Sequence, residues 1–205
     1  MKSIAILLFD QVEVLDFAGP FEVFSIAGQR NVGEPFRVFT VAEKKSIAAK
    51  NNLIVQPTYL LDECPPCDIF LVPGGGGYHP DGKPFGTRYE MDNPTLLTWI
   101  RARIEKAELV LSVCSGALIL AKAGLLENKE ATTHFMAVDL LKSIAPTTKV
   151  SPEKVATTNY VNPVVAMFLG WSLNNEQVTT RSLIAAAIML TGVFFINANF
   201  GKKQA

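Results

Sequence analysis

The chain has 205 residues, of which 49% are apolar and 19% are charged, proportions typical of a globular protein with a substantial core. Lysine plus arginine number 19, as do aspartate plus glutamate, so the formal net charge is zero. Because a nucleic-acid-binding surface must neutralise many phosphates, this balance argues against nucleic acid as the main partner. A small neutral molecule fits the composition at least as well.

Short β-branched runs alternate with helical patterns, and this alternation predicts βαβ units around a parallel sheet. The first strand is predicted over residues 3–9 and is expected to be buried on both faces, because its apolar residues do not alternate with polar ones. A helix is predicted over residues 17–29, with Phe21, Phe24 and Ile26 on its apolar side. Further strands are predicted over residues 36–42, 68–72 and 108–113.

Two later helices have clear sequence signals. Asn93 is a good N-cap, and Pro94 takes the first helical position, where its missing N–H does no harm. A second helix is predicted over residues 135–144, with Met136, Leu140 and Leu141 facing inward. The elements predict one doubly wound α/β domain over residues 1–205, and such a sheet binds its ligand at the carboxyl ends of the strands.

Two apolar stretches raise the question of a membrane. The N-terminal run is interrupted by Asp10 after about six residues, which is shorter than the apolar part of a signal peptide. Residues 183–200 contain an apolar run that is short for a span and that ends at Asn197 and Asn199, so a buried helix is the favoured interpretation. We therefore expect a cytoplasmic protein with no membrane partner. The chain has 3 cysteines, an odd number and too few for a disulfide scaffold.

Cys114 lies where a strand passes into a helix rich in small residues. The segment Ser115, Gly116 and Ala117 is small enough for the tight turn of a nucleophile elbow. There, unpaired N–H groups at the helix start are expected to stabilise the thiolate and lower the pKa of the thiol. The alternative is an ordinary core cysteine, since free cysteine is among the most buried residue types. The local sequence alone supports the two interpretations equally.

Three other strand ends carry candidate residues. The glycine run at residues 74–77 is either a plain loop or a place where backbone N–H groups approach a ligand. Asp16 is either the N-cap of the first helix or a functional carboxylate, a role for which Glu13 competes. His134 follows a strand, where a lone histidine is more often structural.

Two further motifs carry less weight. Cys64 and Cys67 form a C-x-x-C pattern, but the two prolines between them and the strand that follows indicate a turn rather than the helix start of a redox pair. No second pair of cysteines or histidines completes a zinc site, so no metal is expected. His79 lies in what looks like an exposed insertion over residues 78–85.

The segments LDFAGPFEVF, VPGGGG, VCSGALILAKAGLL and ATTHF, taken together, resemble the ThiJ/PfpI superfamily of class I glutamine-amidotransferase relatives. The resemblance covers residues 2–150 and is greatest to isocyanide (isonitrile) hydratases and to the amidase-like domain of AraC-type regulators. It implies a flavodoxin-like, mostly parallel sheet with helices on both faces, a homodimer, and no cofactor.

The resemblance also implies roles for individual residues. Cys114 would be the reactive thiol, and Asp16 its partner carboxylate, where other branches carry a glutamate. The backbone N–H groups of Gly75 and Ser115 would flank the thiol, and His134 is included as a candidate substrate-binding residue. Protease-like members have a histidine directly after the cysteine, and Ser115 in that place disfavours a Cys-His protease.

The chain departs from the family pattern in two places. Residues 78–85 are extra between the glycine run and the GTR-like segment, which affects the expected substrate range. Residues 151–205 lack the glycine-rich segment that relatives place beside the site; Ala187 and Met189 stand where a glycine and an aspartate are expected, and Arg181 interrupts the small-residue start.

The favoured function is therefore a cysteine-dependent hydratase or hydrolase of a small C–N substrate. In its specific form an isocyanide becomes an N-substituted formamide through a Cys114 thioimidate, with Asp16 as proton donor or relay. The alternative is a non-enzymatic module of the same fold that senses a small molecule or a redox change, which the altered C-terminal third favours. A lesser alternative is an aldehyde-processing or chaperone-like relative.

Overall fold

The computed structural model describes residues 1–27 and 35–151. The chain divides at Pro152 into two units, close to the position where the family resemblance weakens. The helix predicted over residues 183–200, and with it the whole region from residue 152 onward, lies outside the described residues, so the predicted single domain over the full chain stays a prediction. Within the described ranges, no helix is long and apolar enough to cross a membrane.

The described residues form sixteen regular elements, with short 3₁₀ turns at Lys50–Asn52, Cys114–Gly116 and Phe135–Ala137. In chain order the elements are β1 (Ser3–Leu8), α1 (Val14–Ile26), β2 (Arg37–Ala42), β3 (Ile47–Ala48), β4 (Ile54–Val55), β5 (Tyr59–Leu60), β6 (Ile69–Val72), β7 (Gly76–Tyr78), β8 (Pro84–Gly86), α2 (Thr87–Glu90), α3 (Pro94–Ile104), β9 (Leu109–Ser112), α4 (Ala117–Lys122), β10 (Glu130–Ala131), α5 (Val138–Ile144) and β11 (Lys149–Val150).

The main sheet has five parallel strands in the order β5-β2-β1-β6-β9. Strand β1 pairs with β2 on one side and β6 on the other, and its residues from Ile4 to Leu8 are almost completely buried. The chain winds outward from β1 in both directions, which is the doubly wound, flavodoxin-like α/β fold that the sequence predicts. The carboxyl ends of β1, β6 and β9 therefore lie side by side.

Helix α3 confirms its sequence signals. Asn93 Oδ1 accepts a hydrogen bond from Leu96 N at 3.2 Å, as an N-cap does, and Pro94 begins the helix. Leu96 and Ile100 are buried against the sheet, and Trp99 stacks edge-on against Phe70 of β6. The helix thus packs through Leu96, Trp99 and Ile100 onto the core that includes Phe70 of β6.

Sequence predictions about two helices are wrong in part. Helix α1 begins at Val14, earlier than predicted, so Asp16 lies in its first turn and is not its N-cap. Phe21 and Ile26 are exposed rather than facing the core, and Phe17 is the buried residue of this helix. Met136 is 73% exposed because residues 135–137 form a 3₁₀ turn, which rotates its side chain away from the face that Leu141 buries.

The predicted insertion is an ordered hairpin. Strands β7 and β8 pair antiparallel, and Tyr78, His79 and the tip beyond them are exposed. The His79 ring packs against Phe85 with centroids 4.5 Å apart. The hairpin begins directly at the glycine run, so it stands beside the carboxyl end of β6.

Candidate active site at Cys114

The strand–turn–helix arrangement predicted at Cys114 is present. β9 ends at Ser112, Cys114 opens a 3₁₀ turn, and α4 follows from Ala117. The backbone of Cys114 has φ of 53°, in the left-handed region that non-glycine residues seldom adopt. Such a residue costs about 1–3 kcal/mol and persists only where the surroundings enforce it, typically at functional sites.

Two glycines allow the turn to pack against the end of β6. A Cβ on Gly116 would lie 2.2 Å from Val72 O, so no other residue lets α4 start this close to the strand. A Cβ on Gly74 would lie 2.7 Å from Cys114 Cβ and 2.8 Å from Asp16 Oδ2. The carboxylate oxygen is thus within about 5.5 Å of Cys114 Cβ, with only the missing side chain of Gly74 between them.

The Asp16 carboxylate is half-buried and points into this space. Its Oδ2 accepts a hydrogen bond from Gly74 N at 3.2 Å, and its side chain also hydrogen-bonds with the Cys114 thiol. Burial raises the pKa of Asp16, and the nearby charge of Glu13 raises it further; the bonds from Gly74 and Cys114 act in the opposite direction. Of the two carboxylates considered from the sequence, the structure brings Asp16 to the thiol.

The expected lowering of the Cys114 pKa is wrong in direction. Burial raises the pKa of this thiol to about 11, and the negative charge of Asp16 contributes to the rise. The N–H and hydroxyl of Ser115 act in the opposite direction without prevailing. A short 3₁₀ turn and the six-residue α4 provide too little stabilisation to outweigh burial beside a carboxylate.

Ser115 lies at the centre of a buried hydrogen-bond network. Its backbone N–H faces the thiol, as the family resemblance implies. The N–H of Gly75, by contrast, donates to Ser115 Oγ at 3.1 Å and is not free toward the thiol. Thr87 Oγ1 lies 3.1 Å from the same hydroxyl and donates to Gly75 O at 2.7 Å. This network ties the glycine run and the start of α2 to the residue that follows Cys114.

His134 borders the site through its backbone and its ring. Its N–H donates to Cys114 O at 3.3 Å, and Thr133 Oγ1 donates to the same carbonyl at 3.1 Å. The Nδ1 atom accepts from Met136 N at 3.4 Å, which makes the ring the cap of a turn and leaves Nε2 to carry the proton. Burial and the charge of Arg88 lower the pKa of His134, while Asp16 raises it, so all three side chains are within electrostatic range.

The remaining candidates lie elsewhere. Cys64 and Cys67 are free and buried in the loop before β6, as the sequence analysis expects of a turn, and burial raises both their pKa values. His79 is in the exposed part of the hairpin. Among residues 1–27 and 35–151, no group of three or more histidine, cysteine or carboxylate side chains is arranged to hold a metal ion.

Sequence reasoning gives no individual role to three residues that the structure brings to the site. Gly74 provides the gap between thiol and carboxylate, Thr87 anchors Ser115, and Arg88 lies within electrostatic range of His134. The signal for Thr87 and Arg88 is the GTR-like segment at residues 86–88, which the extra hairpin separates from the glycine run that contains Gly74. Once β7 pairs with β8, Gly76 lies opposite Gly86 and the two segments are adjacent again.

The site has the form of a nucleophile elbow. Cys114 lies in a left-handed turn at the carboxyl edge of a parallel α/β sheet, next to the half-buried carboxyl of Asp16. The chain belongs to the DJ-1/PfpI family, which it matches over residues 2–169. A second match, to the EamA-like transporter family, covers residues 144–198. That region lies almost entirely outside the described residues.

Individual relatives agree with the family assignment. The isonitrile hydratase of Pseudomonas putida is 34% identical over 142 residues, which cover 69% of this chain and 56% of that protein. The HTH-type transcriptional regulator GbdR of Pseudomonas aeruginosa is 25% identical over a region that covers 71% of this chain and 37% of the regulator. A crystal structure of a ThiJ/PfpI family protein from Pseudomonas syringae has a TM-score of 0.57 at 26% identity, over 74% of this chain and 56% of that one. The chain therefore spans only about half, or less, of these relatives' lengths.

Proposed function

We propose that the protein is a cysteine-dependent hydratase that converts an isocyanide into an N-substituted formamide. The observation that carries this proposal is the pairing of Cys114 with Asp16 across Gly74, in a turn that costs backbone strain. The similarity to an isonitrile hydratase supports the choice of substrate class. No step of this reaction needs a metal or an organic cofactor.

In the first step Cys114 Sγ attacks the terminal carbon of the isocyanide. Because the pKa of the thiol is about 11, Cys114 enters the reaction protonated at neutral pH, and the proposed mechanism uses the neighbouring carboxylate as its base. Asp16 accepts the thiol proton as the S–C bond forms and delivers it to the same carbon, which yields a thioimidate. The Ser115 N–H faces the sulfur throughout this step.

In the second step a water molecule adds to the thioimidate carbon. One water proton goes to the substrate nitrogen and the other returns through Asp16 to the sulfur as the C–S bond breaks. The sum of both steps is isocyanide plus water giving formamide, with thiol and carboxylate restored. Asp16 thus alternates between base and acid, a role that a carboxyl with a raised pKa performs better than an ordinary one.

The test is formamide formation from simple isocyanides such as cyclohexyl isocyanide. Wild type is expected to produce formamide, Cys114→Ala none, and Asp16→Asn roughly 10²–10⁴-fold less per unit time. Cys64→Ser is the matched control, since this cysteine is buried away from the site and its loss should leave the rate unchanged. Formamide production by Cys114→Ala would refute the proposal.

A binding module is the second candidate function, and the similarity to the regulator GbdR favours it. In this case Cys114 contributes to a ligand pocket without turnover. The raised thiol pKa favours small-molecule binding over redox sensing, because oxidants react with thiolates. Saturable binding of an isocyanide without formamide would establish the module. Nucleic acid is not a proposed partner, given the zero net charge.

We also propose a cytoplasmic homodimer. The match of residues 144–198 to EamA-like transporters favours a different location, with the enzyme-like unit attached to a membrane. The uninterrupted apolar run within residues 183–200 is short for a span, but the stretches without Asp, Glu, Lys or Arg are longer. Residues 155–175 and 182–201 are such uncharged stretches, and each reaches the roughly 20 residues that a span requires. Fractionation of cells that express the full chain distinguishes the two locations: recovery in the membrane pellet after a carbonate wash would overturn the cytoplasmic proposal.

A further inference from the structure

Arg88 is held at the edge of the Cys114 site by its neighbours in the chain. Thr87, the residue before it, is fixed by hydrogen bonds to Ser115 Oγ and Gly75 O. The Arg88 guanidinium lies over the Tyr78 ring, 5.5 Å from the centroid, and Nη1 donates to Gly76 O at 3.4 Å. The hairpin that the sequence analysis regards as an insertion therefore orients this side chain.

The guanidinium has no carboxylate partner among the described residues. Its one hydrogen bond there is the long contact with Gly76 O. Arg101 and Arg103, by contrast, make shorter bonds to backbone carbonyls at 3.1 Å and 2.7 Å, and so serve to join segments of the fold. A half-buried guanidinium that leaves most of its five N–H donors without a bond to any residue of 1–27 and 35–151 is suited to bind a planar anion.

Charges of both signs thereby lie near residues that contact Cys114. Arg88 lies within electrostatic range of His134, whose backbone N–H is bonded to Cys114 O. The opposing charges are Asp16, beside the thiol, and Glu13, beside Asp16, both at the start of α1. A substrate with an anionic end would be held with that end at Arg88 and away from Asp16, which orients it relative to the sulfur.

We propose that Arg88 binds a carboxylate group of the molecule that reacts at Cys114. This deepens the proposed function and rests on it for the reacting group: the substrate is a small acid whose electrophilic carbon, in the specific case an isocyanide carbon, is at the end opposite its carboxylate. Arg88 is a specificity-determining residue here, with no part in the bond-making steps.

The test compares two alkylating probes of nearly equal size, anionic iodoacetate and neutral iodoacetamide, on the full chain at pH 8.5. Mass spectrometry of the Cys114 peptide follows each rate, and the same ratio in the urea-unfolded chain corrects for the intrinsic difference between the probes. We expect Arg88→Gln to reduce the corrected iodoacetate-to-iodoacetamide ratio five- to tenfold and Arg88→Lys to retain part of it. Lys83→Gln, which removes an exposed positive charge from the same hairpin, should leave the ratio unchanged.

The outcomes separate the two proposals. An unchanged ratio in Arg88→Gln, with the iodoacetamide rate intact, overturns the carboxylate site and leaves the hydratase proposal standing. A reduced ratio without formamide from 3-isocyanopropanoate or its methyl ester supports the carboxylate site and overturns the hydratase. Where turnover occurs, wild type should prefer the acid over the ester, and Arg88→Gln should lose that preference with little change in the rate on the ester. Failure of both probes to label folded Cys114 overturns both proposals.

Discussion

Substitution of Asp16 by asparagine should make Cys114 react faster with alkylating agents while it abolishes most turnover. The substitution keeps the shape of the side chain but removes the negative charge that raises the pKa of the thiol. For two charges about 5 Å apart at an effective dielectric constant of about 20, Coulomb's law gives roughly 3 kcal/mol. Because both groups are only partly buried, solvent screening reduces this to roughly 1.4 kcal/mol, equivalent to about one pKa unit.

The sign of the change follows from the linkage between charge and protonation. Removal of a negative neighbour favours the thiolate, so the thiol pKa falls from about 11 toward its ordinary value, and the thiolate fraction at pH 8 rises about tenfold. Thiolates of lower pKa are weaker nucleophiles by a Brønsted factor of about 0.4–0.5, which reduces the net gain to about three- to fourfold.

The assay is the pH dependence of iodoacetamide labelling of Cys114 between pH 7 and 11, read by mass spectrometry. Glu13→Gln is the matched control, because it removes a nearby carboxylate that raises the pKa of Asp16 and is not itself among the groups acting on the Cys114 thiol. An apparent pKa that stays the same or rises in Asp16→Asn would refute the reasoning, since the carboxylate would then not be what suppresses the thiolate.

Three other predictions concern the packing and surface of the described unit. Gly74→Ala should abolish activity and lower the free energy of unfolding by about 1–3 kcal/mol, since its Cβ would overlap Ser115 N and Cys114 Cβ. The control is Gly77→Ala, whose Cβ meets only the movable Phe85 ring; urea unfolding should show a much smaller loss of stability for this variant. Glu90→Gln should increase the free energy of unfolding at pH 8, because burial raises the pKa of this carboxyl and so disfavours its charged form in the folded state. This increase should disappear below about pH 4.5, where Glu90 of the wild type is protonated in both the folded and the unfolded state. An increase that persists at pH 3 would contradict this account. We expect the exposed apolar side chains of α1, among them Leu15 and Val23, to form the contact of the proposed homodimer. Val23→Glu should then halve the mass measured by light scattering, and Glu22→Gln on the same helix should leave it unchanged.

Local patterns predict most of the described fold, because its strands and helices are specified by neighbouring residues. The uninterrupted apolar runs of β1 and β6 and the Asn93 cap of α3 leave little choice of structure. Solvent-exposed faces are predicted less well. Helix α1 begins earlier than predicted, and four of its large apolar side chains are exposed, a property that hydrophobic spacing alone does not reveal.

The candidate site is likewise predictable from the sequence only in part. The position of the Cys114 turn is predictable because small residues must follow a strand that ends in such a turn. The direction of the thiol pKa is not predictable, because it depends on how deeply the turn is buried and on Asp16, which is distant in sequence. The environment of Arg88 likewise depends on the pairing of β7 with β8, which brings the GTR-like segment back to the glycine run.

The reactivity of the two buried cysteines before β6 can be used to measure local opening of the loop that contains them. Cys64 and Cys67 are 5% and 4% exposed, and Arg103 joins the carbonyl of Cys64 to α3. While closed, these thiols are shielded and, with raised pKa values, weakly reactive; once the loop opens, they regain the reactivity of free cysteine. Their labelling rate at neutral pH therefore counts the fraction of molecules that are open at this loop, as amide exchange does for the backbone. Cys114, which is partly accessible, is labelled from the closed state, so a single reaction reports local opening and site chemistry on separate peptides.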